Sequence, residues 1–246
     1  MDAGTWYRSL PRFTRYWITA TVGLSLLCRF DIIPLHWLHL DRSLVLGKFQ
    51  LWRCMTSLFV FPISPNTAFH FLINCYFIVQ YSSKLEKDQY NRSPADYLYL
   101  LIIAAVLANL GGLLFNVYFL MDMLVMAITY IWCQLNKDVT VTFWFGTRFK
   151  AMYLPWVLAG FEFIFKFSLT SLMGIFNGHI YYFFKFQYSQ DLGGTALLET
   201  PQFLKRLVPD VSGGFGGFGV PPESRAPPRQ AADNAWGRGG MTLGGN

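Results

Sequence analysis

Apolar residues run along this chain in long blocks, with polar and charged residues gathered between them. Tyr97 to Asn136 is 40 residues with one charge, Asp122. A helix needs about 20 residues to cross ~30 Å of hydrocarbon, so this block predicts two short spans. Gly111, Gly112 and Asn116 supply turn chemistry and place the break at 111–118. Ala151 to Phe184 is interrupted only by Glu162 and Lys166, four apart and able to pair along one helix face. It predicts a fifth span and a sixth at 167–184. Cys54 to Ser83 lacks Asp, Glu, Lys and Arg, but Pro62 and Pro65 break it, which puts span two at 66–82. A first span at 16–28 lies between Arg15 and Arg29, whose stems reach the interface. Ahead of it, Trp6, Leu10, Phe13 and Trp17 recur at helical spacing and predict a short interfacial helix.

The connections differ in character. Residues 29–53 mix Arg29, Arg42, Lys48 and Arg53 with Ile33, Trp37 and Leu44, the pattern of a structured interfacial loop. Lys84 to Arg92 reads as a charged loop. Lys137 to Lys150 reads as another, with Trp144, Phe145 and Phe149 at headgroup level.

Composition agrees with a polytopic, all-α membrane protein. Hydrophobic residues make up 53% and charged residues 14%, against about 25% charged in soluble proteins. Mean hydropathy is +0.32. These values exclude a disordered chain and argue against a cytosolic enzyme. Residues 1–190 hold 15 Lys+Arg and 9 Asp+Glu, whereas 191–246 hold 5 of each. No dense basic block forms, so nucleic acid is not an expected partner. With the N-terminus in the cytosol, 12 cations fall on the cytosolic side and 5 on the other, which predicts that both termini are cytosolic. Asn91-Arg92-Ser93 is a glycosylation sequon that this topology leaves bare.

Two domains follow: a six-span membrane domain at 1–190 and a tail at 191–246. The tail has 12 Gly and 6 Pro in 56 positions, a composition that predicts disorder. Phe215, Phe218, Trp236 and Leu243 stand out within it as parts of a short linear binding motif. The four cysteines form no CxxC pair and read as small apolar side chains, with a Cys28–Cys54 bridge as the alternative. No cofactor and no metal are expected.

The residues with chemical interest are Trp52-Arg53 and His70-x-x-x-Asn74. This pair of motifs resembles the rhomboid superfamily, which carries Trp-Arg in its first lumenal loop and His-x-x-x-Asn in its second span. Rhomboid proteases add a serine in span four and a histidine in span six, because a serine without a base is a weak nucleophile. Span four here, Tyr118 to Trp132, contains no serine. Met121 aligns with the nucleophile and Ser171 with the histidine. His70 and Asn74 are then expected to hydrogen-bond inside the bundle.

Four further stretches resemble the Derlin family of catalytically inactive rhomboid relatives. They are Phe49-Gln-Leu-Trp-Arg53, Arg92-Ser-Pro-Ala-Asp-Tyr97, the run from Trp144 to Trp156, and Thr200-Pro-Gln-Phe203. The resemblance implies a six-helix rhomboid-like bundle in the endoplasmic reticulum membrane that helps extract misfolded proteins for ubiquitin-proteasome degradation. It implies a membrane ubiquitin ligase, self-association, and a tail motif for the valosin-containing AAA unfoldase. Trp236, Gly240 and Leu243 match that motif, while Arg238 stands where the pattern has its first glycine. Trp52 and Arg53 are expected in a loop that dips into the bilayer and touches substrate, and Gly174 and Gly178 in close helix packing. Short spans would thin the bilayer and ease the passage of a polar chain. A scaffold or receptor without a route is the first alternative. A small-solute transporter using Asp122, Glu162 and Lys166 is the second.

Overall fold

A computed structural model describes residues 2–142, 146–166, 168–188 and 198–209. The protein is mostly helical. Among the described residues, ten α-helices and one small hairpin follow in chain order: α1 (Ala3–Ser9), α2 (Arg12–Arg29), α3 (Arg42–Lys48), α4 (Trp52–Thr56), α5 (Ala68–Phe77), α6 (Pro94–Phe115), α7 (Met121–Leu135), β1 (Thr140–Thr142), β2 (Arg148–Lys150), α8 (Leu154–Lys166), α9 (Thr170–Tyr182) and α10 (Gln202–Leu207). The chain divides into two units, Met1–Val211 and Ser212–Asn246, and the second lies outside the described residues.

Among the described residues, one helix is long and apolar enough to cross a membrane. It is α6, 22 residues with Pro94 in its first turn and Asn116 in the left-handed conformation closing its end. Its two faces carry different residues. Ala104, Ala108 and Gly112 repeat every four residues and are buried. Ile102, Val106, Leu110 and Leu114 repeat at the same interval and form an exposed apolar stripe.

Helix α7 is the centre of the bundle. Twelve of its 15 residues are buried, from Met121 to Cys133. Helix α9 lies along it, and Gly174 and Gly178 explain how closely. A Cβ at Gly174 would stand 2.7 Å from the Met123 carbonyl oxygen, and one at Gly178 would stand 2.7 Å from that of Ala127. Only glycine at these two positions lets the backbones approach so near.

Several sequence expectations change. The helical spacing from Trp6 to Trp17 does not form one helix, because Pro11 turns Leu10 to extended backbone (φ −69°, ψ 142°) and restarts the chain as α2. The break in the 97–136 block falls at 116–120, later than Gly111 and Gly112, which stay helical. Lys84 to Gln89 is no loop. After α5 the chain stays helical through π-turns at Ile78–Ser82 and Leu85–Gln89. The reason is Glu86, buried at 8% exposure. Its carboxylate accepts hydrogen bonds from the Phe13 amide (3.0 Å), the Thr14 amide (2.9 Å) and the Thr14 hydroxyl (2.8 Å). It therefore caps the N-terminus of α2 from another helix. Ser82 extends the network by joining Thr14 Oγ1 (2.7 Å) to the Tyr97 hydroxyl (2.6 Å).

Residues 198–209 are described and return to the bundle. Thr200 donates to Asp96 in the first turn of α6, Lys185 Nζ donates to the Leu198 carbonyl (2.7 Å), and Leu204 is buried. All four cysteines are free thiols, so Cys28 and Cys54 are not bridged. The 137–150 loop is a two-stranded antiparallel hairpin with Val141 opposite Phe149. Trp144 and Phe145 lie outside the described residues.

Candidate functional site

Trp52 and Arg53 begin α4 and face different surroundings. Trp52 is exposed at 55%, whereas Arg53 is buried at 5%. The Arg53 guanidinium donates through Nε to Gln50 Oε1 (2.7 Å) and through Nη1 to the carbonyls of His36 (2.8 Å) and His39 (3.1 Å). Thr56 adds a bond to the Leu38 carbonyl (2.9 Å). These bonds tie α4 to the Leu35–Trp37 turn. On the same loop, Asp41 accepts from the Ser43 hydroxyl (2.6 Å) and amide (2.8 Å) and caps α3. These Ser43 bonds, the hydroxyl's foremost, hold the Asp41 carboxyl below the usual carboxylate range.

Arg53 therefore organises the loop, and Trp52 is the residue it presents. Lysine has no planar fork to serve three acceptors at once. Arg53→Lys is expected to loosen the loop by about 1–3 kcal/mol, the cost of leaving buried carbonyls unsatisfied. Faster hydrogen exchange confined to residues 36–56, with the bundle unchanged, is the expected readout.

The second group is a polar cluster formed by the ends of four helices. His70 lies in the first turn of α5, and Asn74 follows one turn later on the same face. Asp122 lies in the first turn of α7. Glu162 comes from α8 and Ser171 from the start of α9. His70 Nε2 meets Asp122 Oδ1 at 3.0 Å, and the Asn74 amide donates to the same oxygen. The Ser171 hydroxyl donates to Glu162. Phe61 stacks on the His70 ring, with centroids 5.5 Å apart. The ligand atoms of His70, Asp122 and Glu162 all lie within 4.8 Å of one another. Asn74, Glu162 and Ser171 are buried, whereas the Asp122 and His70 side chains keep 17% and 24% of their exposure. The side chain of Lys166 lies outside the described residues.

This arrangement differs from a hydrolase triad. There the serine donates to an imidazole and the imidazole to a carboxylate. Here Ser171 donates directly to a carboxylate, and His70 Nε2 engages Asp122. His179, eight residues beyond Ser171 on α9 and so about 12 Å along the helix, meets the Tyr130 hydroxyl at 2.8 Å instead. Met121 occupies a fully buried position at the start of α7.

The structure thus joins His70 and Asn74 to each other through Asp122, and Gly174 and Gly178 to α7. Trp52 and Arg53 belong to a separate loop. Trp236, Gly240 and Leu243 lie outside the described residues. Sequence reasoning missed the network of Thr14, Ser82, Glu86 and Tyr97. The signal available was one carboxylate within a charged run that adjoins an apolar helix.

A helical membrane protein with a tryptophan-arginine loop and a polar cluster at the ends of four helices is what these features define. The Der1-like family pattern matches residues 10–202, and the chain belongs to that family. It is 86% identical to Derlin-1 of Drosophila melanogaster over 246 residues, with 100% of both chains covered. It is 46% identical to Derlin-1 of Homo sapiens over 239 residues, covering 97% of this chain and 94% of the relative. Derlin-1 of Caenorhabditis elegans is 41% identical with both chains fully covered.

Proposed function

We propose that this protein is a non-catalytic rhomboid relative that helps move misfolded proteins from the endoplasmic reticulum to the cytosol for ubiquitin-proteasome degradation. In this reading α2, α5, α6, α7, α8 and α9 all cross the membrane, and both termini are cytosolic. The observation that carries it is the shortness of the central helices. Helix α9 runs on through a π-turn at Phe183–Gln187, but α7 has 15 residues and α8 has 13. At 1.5 Å per residue these are about 20–22 Å long, against ~30 Å of hydrocarbon. A bundle built on such helices draws the two bilayer surfaces together, which lowers the barrier for a polar chain passing beside it.

Catalysis has no part in the proposal, since Ser171 donates to Glu162 and α7 offers no serine. The substrates are misfolded proteins, gathered by the loop that presents Trp52. The cytosolic tail recruits the AAA unfoldase through Trp236, Gly240 and Leu243. A membrane ubiquitin ligase and further copies of this chain complete the assembly.

The test is the half-life of a misfolded endoplasmic-reticulum reporter in cells depleted of this protein. Rescue arms are the full chain, a truncation after Gln230, Trp52→Ala and Ser171→Ala. The full chain and Ser171→Ala are expected to restore decay, and the truncation and Trp52→Ala to leave the reporter stabilised several-fold. Failure of Ser171→Ala, expressed at normal level and with the melting temperature of the bundle unchanged, contradicts the non-catalytic reading. Rescue by the truncation removes the tail from the mechanism. A bare scaffold is separated by replacing the bundle with unrelated spans: rescue by that chimera defeats the bilayer-thinning route.

A further inference from the structure

We propose that His70, Asp122 and Glu162 form a binding site for a divalent transition-metal cation of the zinc class, clamping α5, α7 and α8 together inside the bundle. One imidazole nitrogen and two carboxylate oxygens converge from three helices that are distant in sequence. All three ligand atoms lie within 4.8 Å of one another. Zinc bonds to imidazole nitrogen and carboxylate oxygen at about 2.0–2.2 Å. In a tetrahedron such ligands stand about 3.3–3.6 Å apart, so side-chain rotations that draw the three atoms together by about 1 Å close them around one ion. A mixed nitrogen and oxygen set selects zinc and its neighbours over magnesium and calcium, which take oxygen alone.

Electrostatics favours the ion. Glu162 is 7% exposed, and its carboxylate and that of Asp122 face each other among helix ends. Two carboxylates at this distance offer a divalent cation two anionic oxygens beside the imidazole nitrogen. The surrounding hydrogen bonds are those that orient metal ligands. The Asn74 amide holds Asp122, and the Ser171 hydroxyl holds Glu162. Phe61 stacked on His70 fixes the plane of the ring. To coordinate, His70 presents its Nε2 lone pair to the metal in place of its contact with Asp122, and the ring proton resides on Nδ1. The ring stays neutral, and Asp122 and Glu162 bind as carboxylates. A water or the Ser171 hydroxyl completes the tetrahedron. The site sits at helix ends, where His70 and Asp122 retain some exposure, so an ion has a way in.

The experiment uses the full chain in detergent micelles, stripped with EDTA, dialysed against zinc chloride and measured for bound metal and melting temperature. The expected result is about one zinc per chain and a raised melting temperature. His70→Ala and Glu162→Gln are expected to weaken binding at least tenfold, while Glu162→Asp keeps a weakened site. A His36→Ala/His39→Ala variant, altered in the separate loop, is expected to bind normally. Cobalt substitution reports the ligands directly and does not depend on any variant folding. A visible d–d band without a thiolate charge-transfer band matches nitrogen and oxygen ligation. A thiolate band assigns the metal to cysteine and overturns the proposal. So does the absence of stoichiometric binding, or binding unchanged in folded His70→Ala and Glu162→Gln.

Discussion

Placing alanine at both Gly174 and Gly178 is expected to cost about 2–6 kcal/mol, a large share of the total stability. The new Cβ atoms would stand 2.7 Å from the carbonyl oxygens of Met123 and Ala127. Those are backbone atoms of α7 and cannot rotate away, so α9 must move outward as a body. Overpacking of this kind costs about 1–3 kcal/mol per site, against a total stability on the order of 5–15 kcal/mol. The separation of α9 from α7 also removes contacts along the whole interface, so the two costs reinforce each other. Gly23 and Gly160 are the controls, since nothing lies within 4 Å of a Cβ built at either. Gly23→Ala, in the middle of α2, is expected to be neutral or stabilising by up to about 1 kcal/mol through helix propensity. Thermal unfolding in detergent, followed by size-exclusion chromatography, reads both outcomes. Normal stability of the Gly174→Ala/Gly178→Ala protein contradicts the close approach.

Glu86→Ala is the second large effect. It strips the α2 N-terminus of the acceptor for the Phe13 amide, the Thr14 amide and the Thr14 hydroxyl. Thr14 is fully buried, so water cannot replace the lost partner. Each unsatisfied buried donor costs about 1–3 kcal/mol, and the expected total is about 2–5 kcal/mol. The favourable interaction of a carboxylate with the helix dipole is lost as well. Glu86→Gln keeps one carbonyl oxygen but no charge, and is expected to fall between Ala and the native protein. Asp88→Ala, at an exposed position two residues on, is expected to change nothing measurable. Hydrogen exchange at the start of α2 separates a local loss of the cap from global unfolding. Unchanged protection there in Glu86→Ala would contradict the capping role.

These two effects show where sequence reasoning reached and where it stopped. Gly174 and Gly178 were legible because a four-residue spacing of glycines in an apolar helix has few uses besides close packing. Their partner was not, because nothing in α9 names Met123 and Ala127. Glu86 was misread for a physical reason. Three other charges lie within two residues of it, and charge runs usually mark solvated loops. A single buried acceptor overturns that reading once three donors from α2 meet it. Arg53 shows the reverse case. The sequence reads it as part of a bilayer-dipping loop beside a tryptophan, but two of the acceptors of its buried guanidinium are the carbonyls of His36 and His39, and carbonyls leave no mark in a sequence.

The polar cluster follows the same division. His70 and Asn74 announce themselves by spacing, since four residues on a helix share a face. Asp122 appeared as an isolated charge in an apolar block, and Glu162 as one half of a pair with Lys166. Bringing them to His70 required α5, α7 and α8 to pack with their ends at one level. The beginning of the tail belongs here too. Glycine and proline content predicts disorder from residue 191, yet Thr200 and Leu204 find partners on the bundle, and composition averages over such single contacts.

The sequence by itself determined the class of protein, the apolar helices and their approximate limits, the absence of a span-four serine and the family. These depend on periodicity, composition and motifs, which are local along the chain. Only the tertiary structure decided which helix lies at the centre, that Glu86 caps α2, that Arg53 holds a loop together and that His70, Asp122 and Glu162 share one site. Apart from the shorter-range bonds of Arg53, these are contacts between residues tens of positions apart. Such contacts are selected by how whole helices pack, and no window along the sequence contains both partners.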